Sequence, residues 1–223
     1  MNSRTYWSSL LTLATLSLVS ISAQAQSTLS PTDHCRDYSA DAIVAFADPD
    51  LAEVVNEALG LDAGAPLRCG QAAGLEQLIV ATTIERVVYG GTLRPSPEKP
   101  FESLDGIQNL TGLSRLSIFN RLITDISPLS SLTNLVNLSL HTNWFSDLSP
   151  ISGLVNLEQL VVSENPISDL SPLAGLTKLR ELRVHGLYPY QLQHYLNMDD
   201  GRDPNVVFNG ITDISPLAGL TEM

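Results

Sequence analysis

The chain has 223 residues and carries 12 Lys and Arg against 24 Asp and Glu, which gives a formal net charge of -12 at pH 7. This acidic balance repels phosphate backbones, and the sequence has no basic stripe with interleaved aromatics. A nucleic-acid partner is therefore not expected, whereas a neutral or basic partner fits the charge.

The N-terminus, through Ala25, has the pattern of a secretory signal peptide. Arg4 precedes an apolar, hydroxyl-rich run from Leu10 to Ile21, which is followed by the small residues Ala23 and Ala25. The run is too short to span a membrane, and no second run of about 20 apolar residues follows it. We expect cleavage near Ala25 and a secreted or periplasmic mature chain without a membrane span.

Both cysteines, Cys35 and Cys69, lie in the predicted mature chain. Thiols of exported proteins tend to oxidise in pairs, which predicts a Cys35–Cys69 disulfide. The alternative of two unpaired buried thiols stays open at this point.

Residues 26–74 are expected to form an N-terminal segment with a helical cap. From Asp48 to Gly60 the sequence has an acidic N-cap, a proline in the first turn, an apolar face and a terminal glycine, which predict an amphipathic helix. Residues 75–80 follow as a first, irregular strand. Residues 85–100, rich in glycine and proline, indicate a long surface loop.

Residues 75–223 carry a 22-residue internal repeat, in about five to six units. Ten positions stay in phase over successive copies, a regularity that indicates stacked coils around one apolar interior. In one copy these positions are Leu135, Leu138, Leu140, Asn143, Phe145, Asp147, Leu148, Pro150, Ile151 and Leu154, and the next copy repeats them from Leu157 to Leu176.

Each unit predicts a strand and a return turn. Polar and apolar residues alternate from Asn137 to His141, as in a strand with one buried face. Asn143 and Asn165 stand where the strand ends and are expected to be buried and to hydrogen-bond the backbone of neighbouring coils, as a ladder. Four of the units also have a Ser-Pro pair, which predicts a serine N-cap and a short helical turn. These pairs stand at 127/128, 149/150, 171/172 and 215/216.

Residues 187–208 depart from the pattern. Counting by the repeat period still places apolar residues on the expected positions and Asn209 on a ladder position. We therefore interpret the segment as a degenerate coil rather than an inserted domain. The apolar spacing over 191–198 predicts a helix on the convex side, followed by a loop over 199–204.

On these features the chain resembles bacterial internalin-like leucine-rich-repeat proteins, from roughly Phe46 to the end. The similarity rests on the 22-residue unit, on the recurring Ile-x-Asp-Ile/Leu-Ser-Pro-Leu, and on residues 46–59, which look like the helical N-terminal cap of that family. The resemblance implies an α/β solenoid. This is a right-handed leucine-rich-repeat coil with parallel concave strands, 3₁₀ or helical convex turns and protein binding through the concave face.

The chain also departs from that family. Members that act on host cells usually carry a cell-wall anchor and an immunoglobulin-like module, and neither is visible. The last unit is expected to lack a C-terminal cap, as in a natural short form or a truncated gene product. An uncapped coil leaves an apolar end and strand edges open, which favours a homodimer.

The outward strand positions form the predicted binding surface. Adjacent coils lie about 4.8 Å apart, so equivalent side chains form close columns, and buried aromatic and arginine residues tend to dominate interface energies. The outward positions are 115, 117 and 119; 137, 139 and 141; 159, 161 and 163; 181, 183 and 185; and 203, 205 and 207. We predict partner contacts from Arg115, Phe119, His141, Trp144, Arg183 and His185, with Tyr188 and Tyr190 at the rim. The alternative for Phe119 and Trp144 is that they only cover coil edges.

Metal, cofactor and catalytic sites are not expected. His141 and His185 stand two coils apart, roughly 10 Å, which is too far to share a zinc ion. One aspartate recurs per unit and is expected to accept hydrogen bonds in its own turn rather than to bind calcium. These aspartates are Asp125, Asp147, Asp169 and Asp213. The sequence contains no zinc-protease, serine-hydrolase, P-loop or dinucleotide motif, so an enzyme is not predicted.

Three functions follow from this pattern. The leading prediction is a secreted module that recognises another protein through its concave face. Exposed aromatics beside Asn and Arg favour carbohydrate or cell-envelope binding as an alternative. The third is a self-associating structural fragment of a larger adhesin.

Overall fold

The computed structural model describes residues 27–80, 101–119, 121–184 and 211–222. Within them the framework is a five-stranded parallel sheet with the strands in sequence order. The strands are β1 (Gln77–Val80), β2 (Arg115–Ile118), β3 (Asn137–Ser139), β4 (Gln159–Val161) and β5 (Glu181–Arg183). A parallel sheet with a short turn behind each strand makes the chain an α/β solenoid, which confirms the predicted fold.

The strands from β2 to β5 pair in the register of the sequence repeat. The inward residues Leu116, Leu138 and Leu160, each one period from the next, lie opposite one another on adjacent strands and are buried. β1 and β2 are also direct neighbours and pair Leu78 with Leu116, although the chain between these residues is much longer than one period. The first coil, which begins with β1, therefore accommodates additional residues while β1 and β2 remain neighbours.

The return turns are 3₁₀ helices, and we call their side of the solenoid the convex face and the outward side of the sheet the concave face. In chain order, η1 (Cys35–Asp37) lies in the N-terminal segment and the turns are η2 (Ile107–Asn109), η3 (Ser127–Ser131), η4 (Ser149–Ile151), η5 (Ser171–Leu173) and η6 (Ser215–Gly219). Leu129 in η3, Ile151 in η4 and Leu173 in η5 are buried, and they pack these three turns against the strands.

The predicted serine N-cap of these turns is wrong. Each of the Ser-Pro turns begins at its serine, and the N-cap is the residue before it, such as Ile126. The aspartate two positions before the serine supplies the acceptor instead, because Asp125 Oδ1 accepts from Ser127 N at 2.8 Å. The same bond joins Asp169 and Ser171. The carboxylate thus does what the serine hydroxyl was expected to do.

The N-terminal cap contains the predicted helix, α1 (Pro49–Ala58). The Asp48 carboxylate accepts from Asp50 N at its start, and Leu51 and Val55 are buried. A second short helix, α2 (Cys69–Ala72), was not predicted. Cys35 and Cys69 form a disulfide with their Cα atoms 5.4 Å apart, which confirms the predicted pair.

Two buried amides fix this cap to the first coil. Gln108 Nε2 donates to the main-chain oxygens of Pro31 (2.6 Å) and Asp33 (3.0 Å). Asn109 Oδ1 accepts from Cys35 N at 2.6 Å. Since the buried apolar residues of the cap and the coils also form one cluster, the cap closes the N-terminal end of the solenoid core.

At the other end, η6 packs directly against η5. Leu220 is buried, and Ile211 and Leu217 pack against the same core. The predictions for the signal peptide, for the loop at 85–100, and for the degenerate coil at 187–208 with its helix concern residues outside the described part. Among the described residues, no helix has both the length and the hydropathy needed to cross a membrane.

Candidate functional site

A row of polar side chains crosses the concave face. Asn137 Nδ2 donates to Gln159 Oε1 at 3.1 Å, and Gln159 Nε2 donates to Glu181 Oε2 at 2.7 Å. Arg183 Nη2 lies 2.6 Å from Glu181 Oε1. We call these four residues the polar row. Because Arg183 is exposed but paired with Glu181, it presents to a partner as half of an ion pair and not as an isolated charge.

Phe119 and His141 form an aromatic pair at the edge of the same face. Their rings stack with centroids 4.7 Å apart and an angle of 11° between the ring planes. Phe119 directly follows β2, and His141 comes shortly after the end of β3, so the end of each strand places one ring. Both side chains are half-buried. Stacking holds the rings in place before any partner arrives, which lowers the entropy cost of binding.

A hydrogen-bonded relay holds the His141 ring in place. Thr142 Oγ1 donates to Glu164 Oε2 at 3.1 Å and lies 3.1 Å from His141 Nδ1. A hydroxyl has a single proton, so Thr142 Oγ1 accepts from His141, whose Nδ1 carries the proton. Thr142 and Glu164 both have a φ of 59°. A β-branched residue in this left-handed region is strained, and such strain is often found at functional sites.

Ser163 does not point outward, contrary to the predicted alternation. It is 4% exposed. β4 ends at Val161, so the strict alternation of a strand no longer holds at Ser163. The Ser163 main-chain oxygen instead accepts from Thr142 N at 2.9 Å and from Asn165 Nδ2 at 3.1 Å.

The remaining predicted contact residues are spread along the face. Arg115 is exposed on β2. Trp144 is half-buried in the loop after Asn143, and its main-chain N–H donates to Ile123 O at 2.8 Å. The structure thus brings Phe119 and His141 together and leaves Arg115 and Trp144 on separate elements. His185, Tyr188 and Tyr190 lie outside the described residues.

Two features of the face were missed from the sequence. Ile79 on β1 is 54% exposed and lies opposite Ser117. The polar row was also missed, although the repeat period places Asn137, Gln159 and Glu181 in one column. An amide–carboxylate column was therefore readable from spacing alone, whereas the exposure of Ile79 depends on what packs beside β1.

The recurring aspartates are engaged in their own turns. Asp147 Oδ1 accepts from Ser149 N at 2.7 Å, and Asp213 Oδ1 accepts from Ser215 N at 2.8 Å. Hydrogen bonds from Ser149 lower the pKa of Asp147, and those from Ser215 lower the pKa of Asp213. In the described part of the chain, no cluster of three or more His, Cys, Asp or Glu side chains could hold a metal ion.

Comparison with solved structures identifies the class of protein. An internalin (InlF) from Listeria monocytogenes is 30% identical, with a TM-score of 0.58 over 80% of this chain and 42% of that chain. Internalin C2 from the same organism is 24% identical, with a TM-score of 0.34 over 79% of this chain and 91% of its own. The functional domain of InlJ is 23% identical, with a TM-score of 0.49 over 66% and 34%.

The chain is an internalin-like leucine-rich-repeat protein, and it spans less than half the length of the InlF structure. No protein-family profile and no curated protein sequence matches it.

Proposed function

We propose that the chain is exported and recognises another protein through its concave face. The observation that carries this proposal is the aromatic pair, since stacked, half-exposed rings on a rigid sheet edge are typical anchors of protein interfaces. The proposed contact residues are Arg115, Phe119, His141, Trp144 and Arg183, with His185, Tyr188 and Tyr190 beyond the described part. Export, with cleavage near Ala25, is supported by the apolar N-terminal run and by the Cys35–Cys69 disulfide.

The charge of the chain favours a neutral or basic partner. Cleavage near Ala25 removes Arg4 and no acidic residue, so the mature chain keeps the full set of 24 Asp and Glu. Glu164 stands one coil from His141 and is joined to it through Thr142. A partner that places a cationic side chain over the aromatic pair gains attraction from the ring face and from this carboxylate. Its association rate is expected to fall as salt is added.

The test is a screen of the mature chain against purified bacterial-envelope and host-surface proteins, followed by affinity measurements on variants. Phe119→Ala removes the anchor, and Ser139→Trp blocks the face beside it without deleting a contact of the core. Each is expected to weaken binding at least about tenfold, the scale of an interface hot spot. Val155→Ala is the matched control, since Val155 is exposed between η4 and β4 and belongs to no strand. Circular dichroism checks that each variant folds.

Other results would replace the proposal. If both concave variants bind as the wild type does, or if Val155→Ala loses as much affinity, the concave face is not the binding surface. The polar row beside the aromatic pair favours a glycan as the second candidate ligand, because amides and carboxylates bind sugar hydroxyls while rings stack on sugar faces. If the chain bound to a glycan array and the protein screen found no ligand, a glycan would be established as the ligand. A concentration-dependent mass in light scattering would instead indicate a homodimer.

A further inference from the structure

The turns η5 and η6 are closer than their sequence positions predict. Several of their Cα atoms lie within 8 Å of each other, as between η4 and η5. Adjacent coils are about 5 Å apart and alternate coils about 10 Å, so η5 and η6 occupy adjacent levels. Yet Ser171 and Ser215, which begin the two turns, stand two full repeat periods apart in the sequence.

The side chains beside these turns give the same spacing. Arg180 Nη1 lies 3.8 Å from Glu158, which stands one period earlier and one coil away. Arg180 Nε lies 3.4 Å from Glu222, which stands almost two periods later. One guanidinium thus reaches a carboxylate on each side. This arrangement places Glu222 one coil beyond Arg180, whereas an uninterrupted repeat would place it two coils beyond.

The sequence shows where extra residues fit into the coil that begins with β5. In the two preceding coils a residue with left-handed backbone, Thr142 or Glu164, is followed at once by a ladder asparagine. The next equivalent of these two positions is Gly186, and glycine is the residue best suited to a positive φ. The next ladder asparagine by pattern is Asn209, since Asn209-Gly-Ile matches Asn165-Pro-Ile in the coil before.

We infer that β5 and η6 belong to one coil and that residues 187–208 are an insertion within it. The inserted stretch has the same length as one repeat unit. This topology replaces the interpretation of 187–208 as a degenerate coil. The first coil is a precedent, because it holds additional residues while β1 and β2 remain neighbours.

The insertion also changes the account of the binding face. In the inferred topology the predicted outward positions 203, 205 and 207 fall within the insertion, and among the described residues the polar row ends at Arg183. The carboxyl end of β5 lies at the edge of the concave face to which the aromatic pair also belongs. Insertions in repeat arrays collect on one face, often the binding face.

Engineered cysteine pairs on the convex face test the coil order in the full mature chain. Ala174 and Ala218 are exposed and equivalent beside η5 and in η6, so Ala174→Cys with Ala218→Cys is expected to form a disulfide on oxidation. Ser152→Cys with Ala174→Cys joins adjacent coils and is the positive control. Ser152→Cys with Ala218→Cys spans two coils and is expected to stay reduced. Failure of the 174–218 pair where the 152–174 pair forms would overturn the inference.

Deletion of residues 187–208 gives an independent measurement. An insertion adds no coil to the shared core, so joining Gly186 to Asn209 should leave the chain folded with a urea midpoint close to that of the wild type. Loss of a whole coil would remove an interface between neighbouring coils and would clearly lower the urea midpoint. That drop would overturn the inference even if oxidation of every cysteine pair were slow.

Discussion

Asn165 donates from Nδ2 to the main-chain oxygen of Leu140, which lies in the preceding coil, at 3.0 Å. Asn143 makes the same contact one coil earlier, donating to Ile118 O at 3.1 Å. Both side chains are buried and also donate within their own coils, Asn165 to Val162 O at 3.1 Å. These amides satisfy carbonyls at the ends of the strands that the sheet leaves without donors.

Replacing Asn165 by Leu should therefore be costly. Leucine is close in size but leaves the carbonyls of Leu140 and Val162 buried without a donor, and each orphaned acceptor costs about 1 to 3 kcal/mol. We expect the free energy of unfolding to fall by about 3 kcal/mol in urea titrations. Asn156→Ala is the control, since its bond to Thr133 O (3.0 Å) lies at the surface and its loss should cost no more than about 1 kcal/mol. Equal losses in the two variants would contradict the ladder.

The ladder and the strand register were predictable because both follow from the repeat period. The exception is Arg121, which takes the first ladder position, one period before Asn143. Its guanidinium lies over the Phe101 ring, with Cζ 5.3 Å from the centroid. Burial lowers the pKa of Arg121, while the nearby Asp50 carboxylate opposes that shift. Neither neighbour was predictable, because both come from segments that precede the regular repeats.

Two further features were not predictable, for different reasons. The stacking of Phe119 on His141 depends on where β2 and β3 end, and strand ends are set by packing rather than by the apolar period. The inferred topology around 187–208 is not readable from the sequence, because the stretch has the same length as the repeat. Counting by the period therefore returns the same phase for an insertion and for a complete coil.

Gly112 provides a test of how the N-terminal cap meets the first coil. A Cβ at this position would lie within 2.2 Å of Ala73 O, a backbone atom that cannot rotate away. We expect Gly112→Ala to lower the free energy of unfolding by about 3 kcal/mol, at the upper end of the cost of overpacking. Gly153 has nothing within 4 Å of its Cβ position, so Gly153→Ala should be neutral or stabilising by up to about 1 kcal/mol. If Gly112→Ala were as stable as the wild type, the backbone of Ala73 in the cap could not lie as close to Gly112 as the structure has it.

The Cys35–Cys69 disulfide should contribute a large part of the stability of the cap. It closes a loop with a sequence separation of 34 residues, for which the chain-entropy relation gives about 4 kcal/mol. Cys35→Ser with Cys69→Ser should therefore unfold at a much lower urea concentration than the oxidised wild type. Adding a reductant should bring the wild type to the level of the variant and leave the variant unchanged. Two titratable thiols in the untreated wild type would refute the pairing.

Asp33 and Tyr38 form a reciprocal pair of titrating groups beside that disulfide. Asp33 Oδ2 accepts from Ser30 N at 2.8 Å and from the Tyr38 hydroxyl at 2.9 Å. The Ser30 N–H and then the Tyr38 hydroxyl lower the pKa of Asp33, and the same carboxylate raises the pKa of Tyr38. In NMR titrations, Tyr38→Phe should move the pKa of Asp33 upward but not fully to about 3.9, because Ser30 still donates. Asp33→Asn should return the pKa of Tyr38 towards about 10.

The two shifts have opposite consequences for stability. Asp33 has a lowered pKa in the folded state, so its contribution is present above about pH 4 and is lost as the pH falls through the folded pKa. Tyr38 has a raised pKa, so its contribution is present below about pH 10 and is lost as the pH rises through the folded value. Urea titrations of the wild type and of Tyr38→Phe should thus differ at neutral pH and converge at both extremes. A constant difference across the whole range would show that the hydroxyl acts by packing and not through its bond to Asp33.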